Sequence, residues 1–205
     1  MRSTPFLAAV FIVALAVPAF AQAPPAAPPT RIRGTVEKLN GQTLTVKSRE
    51  GPSMTVVLGP NFTVSGCVAK SLADIKPGDF VASTSLKGPD GKLKAIEVHI
   101  IPENLRGVVP EAQLPWDLAP DSIMTNATLA QITSAPQGHV MKVTFKGNEA
   151  EVTIPDGIPI VGYVPADASL LKPGAAVFIT AQKQADGTLT AARVTAEKDG
   201  VKPPL

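Results

Sequence analysis

Cysteine is almost absent from this chain. Cys67 is the only one, so no intramolecular disulfide can form and stability has to come from packed cores. It sits in the strand-like run Thr63-Val64-Ser65-Gly66-Cys67-Val68, where a lone thiol reads as a small buried apolar residue. Aromatic residues are scarce as well. Beyond the first 21 residues only Phe62, Phe80, Phe145, Phe178, Trp116 and Tyr163 remain, too few for the stacking platforms that single-strand binders use. An excess of one charge is missing too: 19 basic and 17 acidic residues leave a formal net charge of +2, so no nucleic-acid partner is expected.

The residues that carry chemistry are equally thin. His99, His139 and Cys67 show no paired spacing, and a zinc site needs three or four ligands brought together. There is no Gly-x-Ser-x-Gly elbow, and Ser65, Ser71, Ser83 and Ser169 fall in strand or turn contexts without an adjacent base. Asp74, Asp79, Asp90 and Asp186 lie beside turn residues, where aspartate serves the local backbone. No phosphate loop is present. These absences point away from an enzyme: no catalytic residue and no cofactor are assigned.

One long apolar run exists, from Phe6 to Val17. Arg2 precedes it and Ala19-Phe20-Ala21 follows it, the three parts of a secretory signal peptide spanning residues 1–21. At 12 residues the run is shorter than the roughly 20 that cross a bilayer as a helix. The expectation is cleavage after Ala21, with Ala23 the alternative, and a soluble periplasmic protein beginning at Gln22 with no integral membrane segment. Residues 22–30 hold Ala23-Pro24-Pro25-Ala26-Ala27-Pro28-Pro29, a proline-rich tether that favours extended backbone.

What the chain does have is an internal repeat at a spacing of 96 residues. Lys76-Pro77-Gly78-Asp79-Phe80-Val81 recurs as Lys172-Pro173-Gly174-Ala175-Ala176-Val177, and Asp90-Gly91-Lys92-Leu93-Lys94-Ala95 as Asp186-Gly187-Thr188-Leu189-Thr190-Ala191. The same offset pairs Val56 with Val152, Leu58 with Ile154, Val64 with Ile160 and Val98 with Val194. Two copies of this length indicate two like units, whereas a solenoid needs three or more shorter ones.

Each unit reads as antiparallel β structure. The run Ile32 to Val36 leads to an Asn40-Gly41 hairpin turn, since both residues tolerate positive φ. Apolar residues then alternate at Leu44 and Val46 and at Met54, Val56 and Leu58. Phe62-Thr63-Val64 reads as a fourth short strand, and Ser71 to Ile75 as about one helical turn stopped by Pro77. Strands from Phe80 to Leu86 and from Leu93 to Ile101 flank a turn at Pro89-Asp90-Gly91. The second copy repeats this course, with turns at Ala135-Pro136-Gln137-Gly138, Lys146-Gly147-Asn148 and Ala185-Asp186-Gly187. Short, evenly spaced strands predict an all-β protein of two tandem small barrels, whose closure protects the sheet edges. The boundaries are 31–101 and 127–198, with a connecting segment at 102–126 and a closing segment at 199–205.

From Gly34 to Val98 the order of Gly-x-Val, Asn-Gly-x-x-Leu-Thr-Val, Ser-Leu-x-Asp-Ile-Lys-Pro-Gly-Asp and Asp-Gly-x-Leu-x-Ala resembles the OB-like domains of unknown function in exported bacterial proteins. The second copy matches from Val152 to Val194 and lacks the opening Gly and the Asn-Gly turn. The resemblance implies OB-like barrels, a bacterial source and a periplasmic address. Relatives of the two-copy form carry the name of a metal ABC transporter permease, which implies an accessory role in metal-ion uptake. A permease itself crosses the membrane several times, and this chain has a single removable apolar segment.

Two places remain for a site. Alternation puts Glu97 and His99 on one strand face and Val98 and Ile100 on the other, so Glu97 and His99 are the candidate metal pair, on what is expected to be an exposed polar face. His139, after a turn glycine, is expected to be solvated. The connecting segment carries the only tryptophan. Either Trp116, Leu118, Ile123 and Met124 plug the crevice between the barrels, or Trp116 is an exposed anchor with Asp117, Arg106 and Glu111 as polar contacts, for an envelope protein or a glycan. The leading expectation is a non-catalytic binding or envelope-associated accessory module. An enzyme built on dispersed carboxylates is the remaining alternative.

Overall fold

The computed structural model describes residues 28–204; the expected signal peptide and most of the proline-rich tether lie outside the described residues. Twelve strands form one continuous hydrogen-bonded sheet that closes on itself twice. They are β1 (Thr30–Asn40), β2 (Thr43–Ser48), β3 (Ser53–Ala69), β4 (Phe80–Lys87), β5 (Leu93–Ile101), β6 (Ala112–Pro115), β7 (Ile123–Ala135), β8 (Gly138–Phe145), β9 (Asn148–Ile154), β10 (Ile160–Ala166), β11 (Ala176–Lys183) and β12 (Leu189–Glu197). The only helical elements among the described residues are 3-10 turns at Leu72–Asp74, Glu103–Leu105 and Ala168–Leu170.

The all-β expectation holds, and the 96-residue repeat runs further than its sequence match. Shifting β4, β5 and the 3-10 turn at Leu72–Asp74 by 96 lands on β11, β12 and the turn at Ala168–Leu170. The second copy also has its first hairpin, β7 to β8, turning through Pro136 and Gln137. The long strand β3 corresponds to β9 and β10 together, which Pro155 to Pro159 interrupt.

The strands do not close copy by copy. One ring runs β1-β2-β3-β12-β11 and returns to β1. The other runs β7-β8-β9-β5-β4 and returns to β7. Each barrel therefore takes three strands from one copy and two from the other, so the boundaries 31–101 and 127–198 do not delimit barrels, and the arrangement is exchanged rather than tandem. The apolar cores follow the rings. Ile32, Leu44, Val46, Val56 and Leu58 pack with Val177, Ile179 and Val194 in the first barrel. Val81 and Val98 pack with Leu129, Met141, Val143 and Val152 in the second.

The cause lies in β3. Phe62-Thr63-Val64 is not a separate strand but the middle of a 17-residue one, roughly 56 Å long at about 3.3 Å per residue. At Gly59 to Phe62 the strand bulges, since Leu58 pairs with Ala191 and Thr63 already with Arg193. Pro60 has no N–H to offer a ladder, so a bulge is where it can sit. Beyond the bulge β3 stays paired with β12 from Thr63↔Arg193 to Cys67↔Glu197, and along its other edge it pairs antiparallel with β10 from Val64↔Ala166 to Ala69↔Val161. The next strand, β4, consequently lands in the other ring. β10 also pairs parallel with β5 through Ile160↔Val98 to Gly162↔Ile100, and the two barrels meet along this seam.

The connecting segment belongs to the second barrel. It contains β6, which pairs with β7 from Ala112↔Asn126 to Pro115↔Ile123, so β7 begins inside the connecting segment of residues 102–126. Its apolar residues Leu105, Val109, Leu114 and Trp116 cover Phe80, Ala82, Ile101 and Met124 on the outer face of that barrel.

Candidate functional site

The polar residues of β5 converge on the seam. Val98 points into the barrel core, so Glu97 and His99 point outward, as alternation demands. Outward here is not solvent: Glu97 is 3% and His99 9% exposed. The expectation of an exposed polar face is thus corrected, because the first barrel and the seam strands cover that side of β5.

Glu97 is held from both sides. Thr84 Oγ1 on β4 donates to its Oε1 at 2.5 Å, and His99 Nε2 lies 3.0 Å from the same oxygen. On the far side of the imidazole, Nδ1 is hydrogen-bonded to the hydroxyl of Tyr163 on β10, and the two rings are tilted with centroids 5.7 Å apart. Burial pushes the Glu97 carboxyl up, but His99, Thr84 and the charge of Arg33 outweigh it and leave its pKa lowered. The Tyr163 hydroxyl is pushed well above its ordinary value by burial and by the proximity of Cys67 and Glu97.

From the first barrel, β1 presents Arg31 and Arg33 on either side of the inward-facing Ile32. Arg33 is 3% exposed. Its Nη2 lies 2.9 Å from Asp117 Oδ1, and its guanidinium stands 5.0 Å from the centre of the Phe178 ring. Arg31 stacks on Trp116 at 3.9 Å and lies 3.5 Å from Asp117 Oδ2. Cation stacking of this kind orients the ring as well as attracting it. Trp116 itself is half-buried, 6.4 Å from Phe178. It is fixed by the turn after β6, where its N–H donates to Ser122 O at 2.7 Å and the buried Ser122 hydroxyl sits 2.7 Å from Ala119 O. Trp116 and Asp117 thus reach from the second barrel's segment to the first barrel. The Asp117 carboxyl, raised by partial burial, is held below its usual range by Arg33 and then Arg31.

These groups surround a cavity of about 20 Å³, room for one water. Arg33, Glu97 and His99 give it a polar floor, Trp116, Tyr163 and Phe178 give aromatic walls, and Pro203 and Pro204 close it. Glu97 Oε2 and Arg33 Nε are buried without a hydrogen-bond partner, and His99 Nε2, close as it is to Glu97, is not aligned for a hydrogen bond. Buried polar atoms without partners are rare and mark places where a ligand or water completes the structure. The thiol of Cys67 donates to Lys202 O at 3.5 Å, and burial followed by the charge of Glu97 pushes it from 9.0 to about 11. The set offers donors and acceptors for binding; its thiol and phenol are held protonated rather than activated as nucleophiles.

The other sequence candidates lie apart. Arg106 serves the second barrel: Nε donates to Glu103 Oε1 at 2.6 Å, Nη1 to Thr128 Oγ1 at 2.8 Å and Nη2 to Gly78 O at 2.8 Å. Glu111 accepts from the Lys146 N–H at 3.4 Å. Neither joins Trp116, because the segment runs along β7 and the step from Thr128 to Ser122 alone is roughly 20 Å of strand. His139 is half-buried in an open groove of about 250 Å³ beside Lys70 and Asp156. Among the described residues no three His, Cys, Asp or Glu side chains converge as a metal site.

Sequence reasoning missed Arg31, Arg33, Thr84, Tyr163 and Phe178. The one available signal was Arg31-Ile32-Arg33, two arginines flanking the inward-facing Ile32. No family model matches the chain, and neither a curated protein nor a solved structure is detectably similar to it.

Proposed function

We propose that the protein is an exported, non-catalytic binding module of the bacterial cell envelope, acting in the periplasm through the seam between its barrels. The observation that carries this reading is the buried set of Glu97, His99 and Arg33, with polar atoms left unpaired inside an aromatic-walled cavity. Concave, mostly apolar sites with a few convergent polar groups are the usual form of binding sites. The OB-like assignment is supported by the strand order: in each ring the third and fifth strands are parallel neighbours, β3 with β12 and β9 with β5, as in a Greek-key barrel of that type. Among the described residues no helix is long and apolar enough to cross a membrane.

The partner is an envelope protein or a glycan, gripped where Trp116 and Asp117 join the barrels. The test is retention of periplasmic proteins and glycans by the mature chain, beside a Trp116→Ala variant whose folding is checked by circular dichroism. Retention lost in the folded variant supports the reading; no retention, or equal retention by both, overturns it.

An accessory role in metal uptake is favoured by one observation, the 3.0 Å approach of His99 to Glu97. Against it, these are two ligands rather than three, and the charge of Arg33 acts on the same carboxylate. Calorimetric titration with divalent metals decides: saturable binding below millimolar concentration that is lost in His99→Ala supports it, and its absence removes it. A carboxylate-dependent enzyme is disfavoured by the lowered pKa of Glu97, since a general acid at neutral pH needs a raised one.

A further inference from the structure

The segment after β12 is folded back on purpose by its sequence. Lys198 and Val201 exchange both backbone hydrogen bonds, at 3.1 and 2.9 Å, around Asp199 and Gly200 with φ of 50° and 81°. Asp-Gly with both residues at positive φ is a tight two-residue hairpin turn, and it sends Lys202, Pro203 and Pro204 back over the seam. There Lys202 O accepts from the Cys67 thiol, Pro203 is buried, and both prolines close the cavity against Trp116, Tyr163 and Phe178.

A Pro-Pro segment in a slot of aromatic side chains is the arrangement by which polyproline segments are recognised, because the extended conformation is already formed before binding. The floor adds a second feature. Arg33 Nε is an unused donor and Glu97 Oε2 an unused acceptor, the complement of one peptide C=O and one peptide N–H. Pro203 and Pro204 have no N–H to give, so the chain's own segment fills the slot and leaves the carboxylate unpaired. An extended peptide with an N–H beside its prolines satisfies both.

We propose that the seam is a docking groove for a proline-containing extended segment of a partner polypeptide, and that residues 201–204 occupy it in cis as a displaceable stand-in. The proposal rests on reading the seam as a binding site, and it names the partner's chemistry.

Trp116, the sole tryptophan, reports on the groove directly. The probes are a blocked Val-Lys-Pro-Pro-Leu peptide and its Val-Lys-Ala-Ala-Leu counterpart, titrated against the intact mature chain, a chain ending at Lys198, and the full-length Pro203→Gly/Pro204→Gly variant, which keeps the backbone should the shortened chain fail to fold. The expected result is a saturable change in Trp116 emission with the proline peptide, at least tenfold tighter in the shortened or glycine variant than in the intact chain. The alanine peptide offers N–H groups but lacks the preformed extended backbone, and is expected to bind at least tenfold more weakly. An equal response to both peptides, or no saturable response in any folded variant, overturns the proposal. An intact chain that dimerises and is dissociated by the peptide assigns the groove to a second copy and overturns the partner assignment. If the peptide response fails while wild-type retention of an envelope partner still depends on Trp116, the binding-module reading stands and only the proline chemistry falls.

Discussion

Cys67 and Tyr163 stand directly opposite one another in the β3–β10 ladder, and, 96 residues apart, they are the same position of the repeat. A local pseudo-twofold axis therefore passes between a thiol and a phenol. The same relation carries Glu97 to Arg193 and His99 to Thr195, so the polar site exists once, on the Tyr163 side, although the scaffold around it is duplicated.

The thiol half of this pair gives the first prediction. With its pKa near 11 instead of 9.0, Cys67 has about a hundredfold less thiolate than a free cysteine at pH 8, and thiolate is the reactive form. Alkylation by iodoacetamide, followed by mass spectrometry, is expected to be at least that much slower in the native chain than in urea. Because the folded pKa is raised, the unfolded chain releases the proton first as pH rises, so stability falls between pH 9 and about 11. Cys67→Ala is expected to remove that part of the slope, and an unchanged slope refutes the assignment.

Strand exchange makes the second. A protease site inserted at Gly107-Val108, where Val108 is 53% exposed, cuts the chain between β5 and β6. Each barrel then holds strands from both fragments, so the nicked protein is expected to elute from a sizing column as one species and to separate only in denaturant. Two independent tandem barrels would come apart at the cut in native buffer.

The expected strands lie within observed ones because their signals are local: the Asn40-Gly41 turn, the alternation at Leu44 and Val46, and the Asp-Gly turns each fix a hairpin without outside help. The exchange was not legible for the opposite reason. Both copies carry the same pattern, so Val177 and Val81 are equally acceptable neighbours for the first three strands, and only the length of β3 past its bulge decides between them. The site inherits this. Glu97 and His99 were placed on one face correctly, but what lies over that face depends on where the second barrel sits. Trp116 and Asp117 stood out by composition, while Arg106 and Glu111 were grouped with them by proximity in sequence, which a strand running along β7 does not preserve.

Asp117 supplies the third prediction. It is the only carboxylate in contact with the buried Arg33 guanidinium among the described residues, and it shares its charge with Arg31. Asp117→Asn leaves a buried cation without its counter-charge. Because the carboxylate itself is 47% exposed, the cost is expected near the upper end of the exposed range, about 1 kcal/mol in urea unfolding. Trp116 emission should shift to the red as the Arg31 stack loosens. A variant with wild-type stability and emission would mean that the clamp contributes nothing to how the barrels are joined.

Glu97 decides whether the site is held together by charge. Its folded pKa is lowered from 4.5, so its contribution to stability is present above about that pH and is lost as pH falls through the folded value. Glu97→Gln keeps an oxygen for the Thr84 hydroxyl but removes the charge facing His99 and Arg33. At pH 7 the variant is expected to be less stable by about 1–3 kcal/mol, the usual cost of stranding buried polar partners. Below pH 4.5 the two proteins should converge as the pH falls through the folded value and acid neutralises the wild-type side chain. Urea unfolding over a pH series makes the comparison. Parallel losses of stability in the two proteins would show that the carboxylate is neutral in the fold, and that Glu97 sits at the seam as a hydrogen-bonding group rather than as the counter-charge for β1 and β5.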